Sequence, residues 1–324
     1  MVVSCWKSLE LSANHLTWHS TLSTHYFLPT TLYFMTEVSS DSKIQKLRRD
    51  GVTIHYQLYS GDLARETMVF VHGWAGSRLD WLPLVEHYHA QGFTCLIYDA
   101  PGFGESQFDN SKIAHTADFS LERYTQDLLA LLDELGLEGV RLIGHSWGGV
   151  IAMEFAARYP ERVSNLVVIG AAYFDPKNLL HLLFKWISWL MAWLIVLIKP
   201  LLRRSARVRQ FSVRRYTYRP LSPAEGDAIM NDVISSDNRA LVQTLLAGYE
   251  VDFKQLCPAI SVPVMYLGGQ RDVVAPLQFV KPFVELTPNA KYADLADCGH
   301  FPMQEMPNRL IEILDRFWDR VQPV

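Results

Sequence analysis

Apolar residues along this chain fall into short runs and helical spacings that alternate. Val52 to Tyr59 alternates apolar and polar positions and is followed by Ser60-Gly61-Asp62, which suits a strand of an antiparallel hairpin at a sheet edge. Met68 to Val71 is a continuous apolar run, as expected of a strand buried on both faces. A helix is predicted from Arg78 or Leu79 to Gln91, closed by Gly92, then a second buried strand from Phe93 to Tyr98. Ser120 is a good N-cap, and Leu121, Tyr124, Leu128, Leu131, Leu132 and Leu135 recur at helical spacing before Gly136. Val140 to Ile143 reads as a strand, Gly149 to Tyr159 as a helix, and Leu166 to Ile169 as another strand. The rhythm stops between about Asp175 and Leu256. It resumes with strands at Pro263–Gly268 and Lys291–Leu295, and ends in a helix from Pro307 to Val321 with Leu310, Ile313, Leu314, Phe317 and Val321 on one face. Strands alternating with helices at this spacing predict an α/β fold with a doubly wound, mostly parallel sheet and a helical insertion after its sixth core strand.

The insertion has its own pattern. Leu179 to Ile198 is the most apolar stretch of the chain, with three tryptophans and Lys185 as its one formal charge. About 20 apolar residues are enough to span a bilayer. Yet His181, Lys185, Ser188, Ala192 and Lys199 recur at helical spacings and draw a narrow, less apolar stripe along one side. Directly after it, Arg203, Arg204, Arg207, Arg209, Arg214, Arg215 and Arg219 follow one another without an acid. An apolar, Trp-rich helix leading into a basic run has the composition of a segment that settles on an anionic membrane surface. The competing expectation is that the apolar face roofs a site and the arginines are solvated or paired.

Residues 1 to about 40 belong to neither pattern: Lys7 and Glu10 are their only charges before Glu37, and Ser, Thr and His abound. They lack a basic region followed by an uninterrupted apolar one, so they do not read as a signal peptide. Ordinary soluble composition begins at Met35, a plausible start of translation, and the leader is expected to be disordered or absent from the native product. The organisation expected is a leader over 1–40, a core over 41–175, a helical lid over 176–256 and the rest of the core over 257–324. A chain of 324 residues with a net charge of −4 has no global basic excess with which to neutralise nucleic-acid phosphates. Its four cysteines, Cys5, Cys95, Cys257 and Cys298, show neither metal nor disulfide spacing and read as reduced thiols of a cytoplasmic protein.

The chemistry gathers at Gly144-His145-Ser146-Trp147-Gly148, between the strand ending at Ile143 and the helix beginning at Gly149. A serine on a sharp strand-to-helix turn, with glycines two residues to either side, is the arrangement of a nucleophile elbow. The helix N-terminus behind it aims backbone N–H groups at the place where an oxyanion would form. Three further motifs occur in order: His72-Gly73-Trp74, then Asp99 with Pro101-Gly102, Gly104 and Ser106, and near the end Gly299-His300-Phe301. With these four the chain resembles the α/β-hydrolase fold superfamily, in its lidded, Ser-nucleophile branch, over roughly 51–175 and 257–318.

The resemblance implies an order of nucleophile, acid and histidine, with Ser146, Asp272 and His300 as the triad. Asp175, past the preceding strand, is the rival acid. It also implies an oxyanion hole from the backbone N–H groups of Trp74 and Trp147, whose side chains would shape an acyl pocket, and no metal or organic cofactor. Asp99 and His72 are expected to order their own loops, and His145 to pack against a neighbouring strand. Serine at the elbow sets aside relatives that use aspartate there, the haloalkane dehalogenases and epoxide hydrolases. A span through the insertion would separate Ser146 from His300 across a membrane, so a lid is the better reading. The function expected is hydrolysis of carboxylic esters, with a preference for apolar acyl chains conferred by the lid. Thioesterase, C–C hydrolase, acyltransferase and perhydrolase chemistry use the same constellation, and some relatives of this fold are small-molecule receptors. Expected partners are a small ester and, through residues 179–219, the surface of an anionic membrane.

Overall fold

The computed structural model describes residues 42–109, 116–175 and 177–320; the expected leader lies outside them. Eight strands form one sheet in the order β1-β2-β4-β3-β5-β6-β7-β8. In chain order they are β1 (Gln45–Arg49), β2 (Val52–Tyr59), β3 (Thr67–Val71), β4 (Thr94–Tyr98), β5 (Val140–His145), β6 (Val163–Ile169), β7 (Val264–Gly269) and β8 (Lys291–Leu295). All neighbours from β4 to β8 run parallel, and β2 is antiparallel to both β1 and β4. The hairpin at the edge differs from the sequence expectation. Its turn precedes β2 instead of following it, at Asp50 (φ 47°) and Gly51 (φ 77°). Two consecutive positive φ values are what a two-residue turn needs to match the twist of its strands, and Asp-Gly is a favoured pair for it.

The helices lie on both sides. α1 (Leu82–Ala90), α2 (Leu121–Glu134) and α3 (Trp147–Arg158) follow β3, β4 and β5. The insertion after β6 comprises α4 (Leu179–Arg204), α5 (Ala206–Val213), α6 (Pro223–Ser235), α7 (Asn238–Gly248) and α8 (Phe253–Ala259). α9 (Leu277–Leu286) follows β7, and α10 (Pro302–Glu305) and α11 (Pro307–Trp318) close the fold. Residues 68 to 71 of β3 are wholly buried, with Val69 and Val71 in the apolar cluster on one face of the sheet and Met68 and Phe70 in the cluster on the other. Burial of this kind stabilises by roughly 1.5–3 kcal/mol per large apolar side chain. That rigid double-sided core fixes the strand ends where the chemistry sits.

The less apolar stripe of α4 is its inward face. The His181 ring accepts the backbone N–H of Asp175 at 2.7 Å, Lys185 pairs with Glu250 at 3.0 Å, and Ser188 bonds the Tyr249 hydroxyl at 2.7 Å. Ala192 is fully buried, and the Lys199 ammonium donates to Ser236 O at 2.6 Å and Asn238 Oδ1 at 2.8 Å. The apolar side therefore points outward, and the expectation that it roofs the site fails.

Cap and core meet through polar contacts. The Trp74 indole donates to Leu241 O of α7 at 2.9 Å, and Asp237 N–H donates to Gly102 O at 2.7 Å. Ser77 sits between two acids: its backbone N–H reaches Asp80 of the core and its hydroxyl donates to Asp232 of α6 at 2.8 Å. Burial raises both carboxyls, and each stands in the field of a further acid: Asp232 and Asp99 act on Asp80, which also accepts from Gln304, while Asp99 acts on Asp232 against the cation Arg78. A raised carboxyl stabilises the fold while it holds its proton. That contribution is complete below the ordinary carboxylate pKa and is lost as pH rises through the raised value, about 7 for Asp232. Between pH 5 and 8 the protein should therefore lose about 2 kcal/mol, a few degrees in Tm, and Asp232→Asn should flatten that slope. Thermal melts of both proteins across this range check it; identical slopes would remove the acid pair as the cause.

Candidate active site

Ser146 joins β5 to α3 at φ 52°, ψ −117°, a conformation that L residues rarely adopt. The turn can close because of its glycines. A Cβ on Gly144 would lie 2.3 Å from Gly148 O, and one on Gly148 would lie 2.3 Å from both His72 O and Val71 O. Backbone against backbone cannot yield, so both positions require glycine. Ser146 N–H donates to Ile169 O at 2.7 Å, tying the turn to β6, and the residue itself is partly accessible. Trp147 is the first residue of α3, where a backbone N–H has no partner within the helix.

His300 and Asp272 come together although 28 residues separate them. His300 Nδ1 and Asp272 Oδ2 are 2.8 Å apart, and both residues are buried. Asp272 lies just past β7, where its other oxygen accepts the N–H groups of Val274 at 2.7 Å and Ala275 at 2.9 Å. Burial alone would raise this carboxyl, but the His300 charge and these hydrogen bonds outweigh it and hold the group below its usual range. An ionised carboxylate on Nδ1 fixes the ring with Nδ1 protonated and leaves Nε2 free to accept a proton. Asp175 is placed elsewhere: its carboxylate pairs with Lys254 at 2.7 Å, on the surface.

Two residues to which the sequence alone gave no part at the histidine support it. His145 is buried, as packing against a neighbouring strand requires, and its ring also lies 4.7 Å from that of His300, with Nε2–H donating to His300 O at 2.8 Å. Burial first, then the neighbouring His300, lowers its pKa to about 3, so it remains a neutral donor. Its position inside the elbow was the available signal. Glu305 accepts backbone N–H groups from Gly299 (3.0 Å) and Phe301 (3.1 Å) on the histidine loop, and from Tyr218 (2.8 Å) and Arg219 (2.9 Å) on the cap. His300 N–H in turn donates to Tyr216 O at 2.9 Å. One buried carboxylate thus locks the loop carrying His300 to the segment between α5 and α6. Only its proximity to Gly299-His300-Phe301 in the sequence hinted at this.

The remaining motif residues have architectural places. Asp99 accepts from Arg78 N at 2.7 Å and Glu105 N at 2.8 Å and pairs with the Arg78 guanidinium, all within the core. His72 accepts the N–H of Ala100 at 2.9 Å through Nε2 and donates from Nδ1 to Gly73 O at 2.8 Å. The Trp147 indole is buried, edge-on to Tyr124 with 6.0 Å between ring centres. Phe301 flanks His300 at 5.2 Å between ring centres, and Val273 and Val274, next to Asp272, are exposed. Two clefts, of about 750 and 220 Å³, open beside the cap, and neither is lined by Ser146, Asp272 or His300. Among the described residues no group of three or more His, Cys, Asp or Glu is placed to hold a metal ion.

A sharp serine turn at the end of a central parallel strand, with a carboxylate-bound histidine from two later loops, defines a class of enzyme. The chain belongs to the α/β-hydrolase fold family, whose profile matches residues 66–307. It is similar to a cis-3-alkyl-4-alkyloxetan-2-one decarboxylase of Shewanella oneidensis, 28% identical over 84% of this chain and 86% of that one. It is also similar to a 2-hydroxy-6-oxononadienedioate/2-hydroxy-6-oxononatrienedioate hydrolase of Paraburkholderia phymatum, 25% identical over 85% and 95%. In fold it resembles an esterase of Exiguobacterium antarcticum, with a TM-score of 0.69 at 18% identity over 85% of this chain and 97% of that one.

Proposed function

We propose that this hydrolase cleaves carboxylic esters with an apolar acyl group through an acyl-enzyme on Ser146. The observation that carries the reading is the 2.8 Å Asp272–His300 pair, held by His145 against an elbow whose serine has a positive φ. His300 Nε2 takes the Ser146 proton as Oγ attacks the carbonyl carbon, and Asp272 stabilises the imidazolium that results. The carbonyl oxygen becomes an oxyanion received by the N–H groups of Trp74 and Trp147. His300 returns its proton to the departing alkoxide. Water, deprotonated by the same ring, then releases the acid and restores Ser146. Phe301, Val273 and Val274 give the surroundings of the triad an apolar character that suits an acyl chain better than a charged one.

Hydrolysis of p-nitrophenyl esters from acetate to palmitate tests this. The expected result is kcat/KM rising by about tenfold or more from acetate to octanoate, since each buried methylene contributes roughly 0.8 kcal/mol. A flat series would remove the apolar preference. Turnover of a vinylogous 1,5-diketone with no turnover of any ester would move the chain to the C–C hydrolases.

A further inference from the structure

α4 is an amphipathic helix mounted inside out. Its most apolar stretch of 18 residues has a mean hydropathy of 1.8, yet only 6% of that stretch is buried in the protein. The row from His181 through Lys185, Ser188, Ala192 and Lys199 is bonded to or buried against the protein, as described above. The opposite side exposes Leu183 (54%), Trp186 (59%), Leu190 (62%) and Leu197 (72%), one above another at spacings of three, four and seven. At about 1.5 Å per residue this apolar strip is roughly 20 Å long, on a helix of 26 residues. A soluble monomer rarely leaves so large an apolar patch uncovered.

The charge around the strip names what covers it. Arg203, Arg204, Arg207, Arg214 and Arg215 are exposed just beyond its C-terminal end, with Phe211 (66% exposed) among them. No acidic residue occurs between Asp175 and Glu225. A second copy laid on this face would cover the leucines but offer the arginines no carboxylate from the same segment. An anionic lipid surface supplies both an apolar layer for the leucines and phosphates for the arginines. Trp186 and Trp193, both exposed, suit the boundary between the two. A span is excluded by the same contacts that orient the helix, because Lys185, Ser188 and Lys199 tie it lengthwise to the cap over some four turns.

We propose that α4 is a docking surface for anionic membranes, lying in the plane of the bilayer with its leucine and tryptophan side immersed to headgroup depth. α7 begins with Asn238, an anchor of α4, and carries Leu241, the acceptor of the Trp74 indole, three residues further on. Docking therefore sets the candidate active site one helix away from the lipid. That consequence rests on the proposed chemistry; the docking itself does not.

The test is co-sedimentation of the full chain with vesicles of phosphatidylcholine alone and of phosphatidylcholine mixed with phosphatidylglycerol, without substrate. The expected result is binding at least about tenfold stronger to the mixed vesicles, weakened by salt. Leu190→Glu with Leu197→Glu should abolish binding to both. Arg203→Glu with Arg207→Glu should reduce it about tenfold or more on the mixed vesicles only. Both double variants should keep wild-type turnover of a soluble short-chain ester, or, if that chemistry is absent, the wild-type melting curve, which shows that the fold is intact. Wild-type protein that stays in the supernatant overturns the proposal. So does a dimer in solution that Leu190→Glu breaks without any vesicle binding, and so does retention in the membrane through alkaline carbonate extraction, which would mark a span.

Discussion

Ser146→Ala should lower kcat for a p-nitrophenyl ester by roughly 10⁵-fold, about 7 kcal/mol of transition-state stabilisation, with little change in KM. The substitution takes away one oxygen. Alanine meets the same backbone difficulty at φ 52° that serine does, so the strain is unaltered and the melting temperature should stay within a degree or two of wild type. The turn is held by parts the substitution leaves alone: the glycines at 144 and 148 and the bond from residue 146 N–H to Ile169 O. Activity falls because no other nucleophile stands at the end of β5. Some catalysis over water should survive, of the order of 10³-fold, from the backbone donors and from binding. Single-turnover kinetics on the wild type should show a burst of p-nitrophenol equal to the enzyme present, absent from the variant. A variant retaining more than about a tenth of the wild-type rate would mean that Ser146 is not the nucleophile.

The parts of this site that local chemistry dictates were legible in the sequence. Gly144 and Gly148 are demanded by backbone contacts inside one turn, so a five-residue string flanked by a strand and a helix carries the whole requirement. The sheet was legible for a related reason: strands such as Met68–Val71, buried on both faces, must be continuously apolar. What depends on distant partners was not. The direction of the apolar side of α4 follows from which of its few polar residues find mates on α7 and beyond, and Glu250, Tyr249, Ser236 and Asn238 lie some 40 to 65 positions away. The stripe was visible; its orientation was not, because an apolar helix face is ordinarily turned inward. The roles of His145 and Glu305 were hidden likewise, since each acts on backbone groups that only the folded loops bring within reach. The edge hairpin was a different kind of miss. Asp50-Gly51 is a strong local turn signal, but the strand before it, Gln-Lys-Leu-Arg-Arg, has almost no apolar residues to mark it, because an edge strand needs none.

The choice of acid gives the second large effect, and it is made by paired substitutions. Asp272→Asn should lower kcat by about 10⁴-fold, whereas Asp175→Asn should leave it within about twofold of wild type. An asparagine at 272 can still accept the N–H groups of Val274 and Ala275 through its carbonyl, so the loop should keep its shape. Its amide would then face His300 Nδ1 with a donor. The ring must answer as an acceptor there and carry its proton on Nε2, where it can no longer take one from serine. The loss is therefore in the proton-transfer step and not in binding, and KM should hardly move. Asp175 offers no such lever, because its carboxylate is spent on Lys254 at the surface, where solvent screens the pair. Steady-state kinetics on the two variants, with melting curves to show that both fold, decide between the acids. A collapse of activity in Asp175→Asn beside near-normal turnover in Asp272→Asn would require the His300 ring to swing away from its present partner before the reaction begins, and the proposed triad would have to be redrawn.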